Sequence, residues 1–426
     1  MQSWRGGFAV PDTCSRRRFL KGATATAATL AMSAASYGRI VGANERISLG
    51  LIGCGVRGVG THMAEVHKFD KEEKVEFTAV CDPWRVAREN AAALVKEWYG
   101  REARQFTSYR DVLALKDVDA VMIASPDHVH TTQLEAAAKA GKDVYVEKPV
   151  GRDMEKLKSA CDAVKAAGVV CQVGTQLRAV PILAGCRELY KTGILGKVHR
   201  VEQARNAGQP WWYHYLKDAQ EKDVDWPEFL ADLPMRPFSA ELLTGWYGYR
   251  EFCDGPVPQQ GVHYIDLVHY ITGAKFPTSA VCQGGVFVWK DEHKFTCPDQ
   301  VEASWIYPEG FMVNYSQNLS NSAGRSFKFF GDQGTLDIPS WSSEAYLTAE
   351  GGSRNKGVIR GRNPVNPVEM TNHFQEWLQC IRSRKAGLAP IDAGYQHSVA
   401  CIMAVKASDT GRRQVYDAAK REIREG

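Results

Sequence analysis

The first half of the chain alternates short apolar runs with longer stretches that carry apolar residues at helical spacing. Short, bounded apolar runs are typical of buried strands, and the stretches between them are typical of helices packed on a sheet. Strands that alternate with helices predict a doubly wound parallel sheet. The predicted strands are 47–52, 75–81, a short one near Phe106, 119–124, 144–146 and 169–173, and the predicted helices include 84–99, 109–115, an alanine-rich one ending at 140, and 154–166.

The second half changes to strict alternation of apolar and polar residues. Such alternation predicts half-buried strands, here 279–289, 301–307, 311–319, 326–330 and 335–338. Helices are predicted at 181–191, 259–271, 369–383 and 393–407, with a strand at 197–204. A long loop is predicted at 206–255, and its many Trp and Tyr residues suit either stacking against a sugar or packing of a lid.

A glycine motif follows the first strand directly. Gly53-Cys54-Gly55-Val56-Arg57-Gly58 lies between a predicted strand and a predicted helix, the context in which this spacing indicates a dinucleotide site. Asp82 ends the next strand, where an acid binds the ribose and favours NAD over NADP. Arg85 lies three residues further on and would soften that preference. The alternatives are a plain tight turn for the glycines and a helix N-cap for Asp82.

Asp143-Val-Tyr-Val-Glu-Lys-Pro-Val150 is the stretch where we expect the chemistry. Lys148 stands where the strand ends, and ligands collect at the carboxyl ends of strands in such sheets. A desolvated lysine drops its pKa toward neutrality and can transfer protons. The alternative is a surface lysine beside Pro149, which ends the strand.

The first 44 residues are predicted to be an export segment and not part of the fold. Ser15-Arg16-Arg17-Arg18-Phe19-Leu20-Lys21 is a twin-arginine signature, and an Ala/Thr run with small residues near 33–35 follows it. We therefore expect the twin-arginine machinery as a partner and a periplasmic location. The alternative is a disordered basic N-terminus.

Residues 1–43 also hold six basic residues and one acid, which leaves the remainder near −1 and gives no electrostatic case for nucleic acid. No apolar run is long enough to span a bilayer. Most of the eleven cysteines are expected to be buried free thiols, with Cys282–Cys297 as one candidate bridge. The sequence has no CxxC and no zinc spacing, so we expect no metal.

These motifs together resemble the Gfo/Idh/MocA (glucose–fructose oxidoreductase/inositol dehydrogenase) family. The resemblance is carried by the glycine motif, Asp82, Ser125-Pro126-Asp127 with His130, Glu147-Lys148-Pro149, 174–178 and 193–198. It implies a Rossmann domain at 45–173 and a C-terminal α/β domain at 174–426, built on a largely antiparallel sheet whose open face forms a homo-oligomer, a dimer or a tetramer. It also implies NAD(P)-dependent oxidation of sugars or cyclitols, with the cofactor held by Gly53, Gly55, Val56, Arg57, Gly58, Asp82, Ser125, Pro126, His130, Glu147 and Lys148.

The family's catalytic histidine matches His263. Asp266, three residues on, shares a helix face with it and is expected to orient its imidazole. The sequence departs from the inositol-dehydrogenase pattern at Gln259, where an amide replaces an acid. Gln176, Arg178, Gln259 and Asp266 are the predicted substrate residues, whereas His373 and His397 are expected to be structural.

The leading hypothesis is an exported NAD-dependent oxidoreductase acting on a hydroxyl of a sugar, sugar acid or cyclitol. Because a periplasm supplies no free NAD, we expect the cofactor to be tightly bound and recycled. A redox-neutral NAD-dependent glycosidase or lyase is the alternative within enzymes. A non-catalytic sugar-binding sensor is the alternative from another class, and the presence of both Lys148 and His263 speaks against it.

Overall fold

The computed structural model describes residues 46–351 and 359–426. The predicted export segment lies outside the described residues, so it stays a prediction. Of the described helices, none combines the length and the apolar character needed to cross a membrane.

A six-stranded parallel sheet forms the first half, in the order β3-β2-β1-β4-β5-β6. This confirms the predicted doubly wound sheet, in which the chain runs outward from β1 in both directions. Its strands are β1 (Ile47–Ile52), β2 (Val75–Cys81), β3 (Arg104–Phe106), β4 (Ala120–Ile123), β5 (Asp143–Val146) and β6 (Cys171–Val173). A π-helical turn (Gly58–Met63) continuing as α1 (Ala64–His67), then α2 (Arg85–Tyr99), α3 (Tyr109–Ala114), α4 (His130–Lys139) and α5 (Met154–Ala167) connect them.

A ten-stranded sheet forms the second half, in the order β14-β13-β12-β11-β7-β10-β9-β8-β15-β16. Only β7 and β10 pair in parallel among its described strand pairs, so the prediction of a largely antiparallel sheet is confirmed. Its strands are β7 (Val198–Asn206), β8 (Ser279–Gly285), β9 (Gln300–Tyr307), β10 (Phe311–Asn318), β11 (Arg325–Gly331), β12 (Gly334–Ser340), β13 (Glu344–Ala349), β14 (Arg362–Pro364), β15 (Gln414–Asp417) and β16 (Glu422–Glu425).

Helices α6 (Pro181–Lys191), α9 (Val262–Thr272), α10 (His373–Ser383) and α11 (Ile391–Thr410) accompany this sheet. Two predicted boundaries were wrong for local reasons. β8 ends at Gly285 rather than 289, because the backbone amides of Phe287, Val288 and Trp289 turn to donate to the Asp299 carboxylate. Helix α10 begins at His373 rather than 369, since Asn372 caps it by accepting from the Phe374 amide at 2.9 Å.

The aromatic segment, residues 206–255, is folded and not an open loop. It contains two short helices, α7 (Trp226–Leu230) and α8 (Ala240–Thr244), and several single turns. Trp212, Trp226 and Phe252 are among the buried side chains of its own apolar core. Packing therefore accounts for many of the aromatic residues, and the alternative of sugar stacking does not apply to those buried members.

The ten described cysteines are free and buried, as expected for residues in apolar runs. The candidate pair Cys282–Cys297 is wrong. Cys297 instead lies beside Cys253, with 3.9 Å between the two sulfur atoms.

Candidate functional site

The glycine motif forms a close-packed turn with one open position. Gly53 has φ +92°, and a Cβ there would lie 2.5 Å from the Ser125 amide nitrogen. A Cβ on Gly58 would lie 2.0 Å from the Gly53 carbonyl oxygen. At Gly55, by contrast, a Cβ would meet none of the described atoms within 4 Å. Two glycines therefore serve the turn and the packing of helix on strand, and the third leaves space for a ligand to approach the backbone.

A cavity of about 860 Å³ opens over this turn, within the size range of small-molecule sites. Seven of the predicted cofactor residues lie in or at its wall: Gly53, Gly55, Val56, Arg57, Asp82, Ser125 and Pro126. Gly58 is buried in the packed turn beneath them. His130, Glu147 and Lys148 do not line the cavity; the last two lie beyond Arg57.

The opposite wall of the cavity comes from the aromatic segment. Tyr215, Phe229, Trp246 and Tyr247 face the glycine turn across it. The segment is attached to the rim of the parallel sheet: the Asp225 amide donates to the Pro83 carbonyl at 2.9 Å. Further along, Ser108 donates to Glu228 at 2.9 Å, and His128 Nε2 donates to the Phe229 carbonyl at 3.0 Å. The cavity is thus enclosed by both halves of the chain.

Asp82 lies at the floor of the cavity. Its carboxylate accepts from the Cys54 amide at 2.7 Å and from the Trp84 amide at 2.8 Å, so it ties the glycine turn to the start of α2. Burial raises the pKa of Asp82 to about 6, although both amides lower it. The N-cap of α2 is Trp84 and not Asp82, so the capping alternative is wrong, whereas the place of Asp82 in the cavity is compatible with the predicted ribose-binding role.

Arg85 does not face the cavity. Its guanidinium is held by Glu89 at 2.8 Å and by Asp223 of the aromatic segment at 2.7 Å. Arg85 does not line the cavity, so the expectation that it softens the preference for NAD is wrong. Arg110 is the arginine besides Arg57 that lines the cavity.

Glu147 organises the inner end of the site. His62 Nε2 lies 3.3 Å from its carboxylate, Arg57 Nε lies 4.0 Å away, and Gln176 donates to it at 2.9 Å. Burial alone would raise the pKa of Glu147, but Arg57 and His62 hold it well below the usual value. The Gln176 amide nitrogen also donates to the Tyr145 hydroxyl at 2.7 Å. Gln176 therefore holds Glu147 in place through hydrogen bonds within the protein.

Lys148 is buried, with 7% of its surface exposed, and its amine points inward. Nζ donates to the Gln259 carbonyl at 2.9 Å, on the turn that leads into α9. Burial lowers the pKa of Lys148, whereas Glu147 and Asp127 raise it. The alternative of a surface lysine is therefore wrong for this structure.

His263 is the second residue of α9, directly after the turn whose Gln259 carbonyl accepts from the Lys148 amine. Its ring is partly exposed, and its Nδ1 is buried with no hydrogen-bond partner in the described part of the chain. Burial lowers the pKa of His263 well below the usual value, and the Lys148 charge lowers it further. A neutral imidazole beside a buried amine is suited to accept a proton.

Asp266 does not orient His263, and that prediction is wrong. Its carboxylate accepts from Nε and from Nη2 of Arg178, each at 2.8 Å, and His397 Nδ1 lies 3.2 Å from it. Burial would raise the pKa of Asp266, but these partners hold it well below the usual value. Arg178 and Asp266, both predicted substrate residues, are therefore committed to a buried ion pair.

His130 lies behind the site and not in the cavity wall. Its two ring nitrogens are each 2.8 Å from a backbone carbonyl, that of Ser125 and that of Pro149. It therefore holds together the ends of β4 and β5. His373 lies 3.1 Å from the Val173 carbonyl and is likewise buried in the fold, as expected.

Asp127 is the residue that the sequence reasoning missed. The Gln259 amide donates to its carboxylate, so the acid that Gln259 lacks is supplied from the end of β4. Burial raises the pKa of Asp127 to about 7, although the nearby Lys148 lowers it. The available signal was its place in Ser125-Pro126-Asp127, directly after a strand. No group of three or more metal-ligating side chains is found in the described ranges.

Comparison with known proteins agrees with this geometry. Two family models match, one for the NAD-binding Rossmann fold of an oxidoreductase family, over residues 47–175, and one for its C-terminal alpha/beta domain, over residues 187–416. The chain belongs to the Gfo/Idh/MocA oxidoreductase family. The fold and the NAD-binding Rossmann domain are thereby established.

Relatives in the family act in different ways. A Glycosyl hydrolase family 109 protein 2 from Shewanella sp. (strain ANA-3) is 32% identical over 62% of this chain and 59% of that protein. A scyllo-inositol 2-dehydrogenase (NAD(+)) from Bacillus subtilis is 36% identical over 40% of this chain and 48% of that protein. The matches thus span about half to three fifths of each relative's length.

Solved structures share the fold over most of the chain. Levoglucosan dehydrogenase with NADH and levoglucosan has TM-score 0.65 and 18% identity, covering 89% of this chain and 99% of that one. The WlbA dehydrogenase from Bordetella pertussis with NADH and UDP-GlcNAcA has TM-score 0.66 and 20% identity, covering 88% and 99%. At these identities the likeness shows the fold alone.

Proposed function

We propose that the protein is an exported NAD-dependent oxidoreductase that acts on a hydroxyl group of a carbohydrate. One observation carries the proposal: the Lys148 amine, just after β5 and next to Glu147 in sequence, is buried and contacts the turn that leads to His263. A buried amine whose pKa is lowered by burial and raised by neighbouring carboxylates is typical of proton-transfer sites.

The residues present fit a nicotinamide dinucleotide. The open Gly55 position and the neighbouring backbone would hold the pyrophosphate, and Asp82 would accept hydrogen bonds from the ribose. Since Arg85 is paired elsewhere, we propose NAD rather than NADP. When bound, NAD supplies a hydride acceptor for the carbon that bears the substrate hydroxyl.

Lys148 and His263 would handle the proton of that hydroxyl. The lowered pKa of Lys148 increases the fraction of neutral amine that can accept a proton. His263 would share the proton through its partly exposed ring, and Asp127 would stabilise the protonated amine across Gln259. Proton transfer of this kind contributes roughly 10²–10⁴-fold in rate.

The aromatic segment supports a retained cofactor. It supplies a full wall of the cavity and is attached to the rim of the parallel sheet at Asp223, Asp225 and Glu228. Release of a dinucleotide would require this wall to move. Retention would suit an exported enzyme, because the periplasm has no free pool of the nucleotide.

Association through the C-terminal sheet is also proposed. Val281, Ile306 and Met312 are 48%, 45% and 40% exposed on the outer face of neighbouring strands. An apolar strip of this kind is typical of a protein interface.

The test is to denature the protein purified after export and identify the released nucleotide by mass spectrometry. A panel of neutral sugars, sugar acids and cyclitols is then added to the native protein without added nucleotide. The proposal predicts stoichiometric NAD and oxidation of at least one carbohydrate. Protein that folds and carries no nucleotide, or that oxidises none of them, would overturn it.

A second candidate function is redox-neutral cleavage of a glycoside. The 32% identity to glycosyl hydrolase family 109 proteins favours it. Release of free sugar from an aryl glycoside, with no net change in bound NADH, would support cleavage. Oxidation of a free sugar without cleavage would support the leading proposal.

A further inference from the structure

Two arginines face each other on the inner side of the second sheet. Arg205 on β7 is the direct cross-strand partner of Arg325 on β11. Their guanidinium groups lie 5.7 Å and 5.4 Å from the ring centre of Trp341, so both charges share one aromatic ring. Like charges in directly opposed positions destabilise a sheet. Neither arginine is found in an ion pair with a carboxylate within the described residues.

Polar side chains without partners surround this pair. Arg205 is flanked on its other side by Gln317 of β10, and Gln203 lies two residues before it on the same face. Both amide atoms of Gln203 and Nε2 of Gln317 are buried with no hydrogen-bond partner among the residues described. Buried amides are nearly always satisfied, so a group of unsatisfied ones indicates a missing polar ligand.

The arginine cluster, which we define as Arg205, Arg325, Gln203, Gln317 and Trp341, adjoins the proposed catalytic histidine. The Trp341 ring is 6.0 Å from the His263 ring and 4.8 Å from that of Tyr264. The Tyr264 side chain lies beside Arg205, which makes a hydrogen bond with its hydroxyl. A substrate group bound at the cluster would therefore lie near His263.

We propose that the arginine cluster binds the acid group of an anionic carbohydrate. Arg205 and Arg325 present forked donors that match an oxyanion, and the two glutamine amides present donors and acceptors for sugar hydroxyls. An oxyanion between the arginines would also remove their mutual repulsion. A carboxylate, a sulfate ester and a phosphate ester share this chemistry. The inference rests on the proposed function, because it names the substrate class of that same site.

The test is to measure, by calorimetry, how tightly matched sugars bind to the exported protein. The probes are glucuronate, glucose sulfated or phosphorylated at its primary hydroxyl, and glucose itself. The variant is Arg325→Gln, since this side chain is exposed and its loss leaves the core intact. The control is Arg200→Gln, on the adjacent strand β7 and on the opposite face of the sheet, where it pairs with Glu202.

At least one acid sugar is expected to bind more tightly than glucose, and Arg325→Gln to weaken that binding by about tenfold or more. Arg325→Gln should weaken binding of the acid sugar more than binding of glucose, and Arg200→Gln should change neither. The relative affinities of the three acids identify which oxyanion is preferred. Equal binding of glucose and the acids, no binding of any acid, or an unchanged Arg325→Gln variant would overturn the inference. Because binding is measured without turnover, an anion that binds but is not oxidised would overturn the proposed function alone.

Discussion

Replacing Asp266 with asparagine separates a structural role for this residue from a catalytic one. The carboxylate lies between Arg178, with two contacts of 2.8 Å, and His397, at 3.2 Å, and all three side chains are buried. Breaking a buried ion pair by removing one charge costs about 3–5 kcal/mol, because the other charge is left uncompensated. Asparagine still accepts one hydrogen bond, so we expect a loss of about 3 kcal/mol in the free energy of unfolding.

A loss of this size should lower the melting temperature by about 4 °C. The assay is thermal unfolding followed by circular dichroism, with Asp162→Asn as the control, since Asp162 and Arg421 form an exposed pair worth about 1 kcal/mol or less. Because its partners hold the pKa of Asp266 below the unfolded value, its stabilisation is present above pH of about 4 and lost below it. The difference between Asp266→Asn and wild type should therefore be constant from neutral pH down to about 5.

The activity of the folded variant completes the test. At a temperature where Asp266→Asn is fully folded, we expect its pH–rate profile to match that of the wild-type protein. An unchanged melting temperature together with a displaced pH profile would refute this reasoning and return Asp266 to the role of orienting His263.

Three further predictions concern single side chains of the site. Gly55→Ala should lose bound nucleotide and melt at the same temperature as the stripped wild-type protein, whereas Gly58→Ala should lose nucleotide and melt below it, as measured by mass spectrometry and thermal unfolding, because only the second Cβ meets backbone. Nucleotide affinity of the stripped protein, measured by calorimetry, should weaken as pH falls through about 6, where Asp82 gains a proton, and this dependence should vanish in Asp82→Asn. The oxidation rate should fall as pH drops through about 7, where Asp127 becomes protonated, and Asp127→Asn should remove that step from the pH–rate profile.

Features that depend on neighbouring residues were predictable from the sequence. The order of strands and helices and the glycine turn follow from local spacing, and the turn forms as predicted because its glycines pack against β4 and against each other. Lys148 was placed correctly at the end of β5, since the apolar run and Pro149 define that end. Its burial follows from the neighbouring side chains that enclose it.

Features that depend on distant residues were not predictable. Helical spacing placed Asp266 beside His263, but its partners Arg178 and His397 come from other elements far along the chain. Likewise, nothing local joins Asp127 to Gln259, which lies 132 residues later. Helical spacing predicts which face of a helix a side chain lies on. It does not predict which residue of another element that side chain will bind.

The most direct test of the account is to measure reduction of the bound nucleotide. The readout is the near-ultraviolet absorbance of reduced nicotinamide. Substrate is added, with no free nucleotide, to the wild-type protein and to Lys148→Ala. The account predicts stoichiometric reduction in the wild-type protein and none in Lys148→Ala, although mass spectrometry finds the same nucleotide bound to both. Reduction at the wild-type rate in Lys148→Ala would contradict the central claim that the buried amine carries the proton transfer.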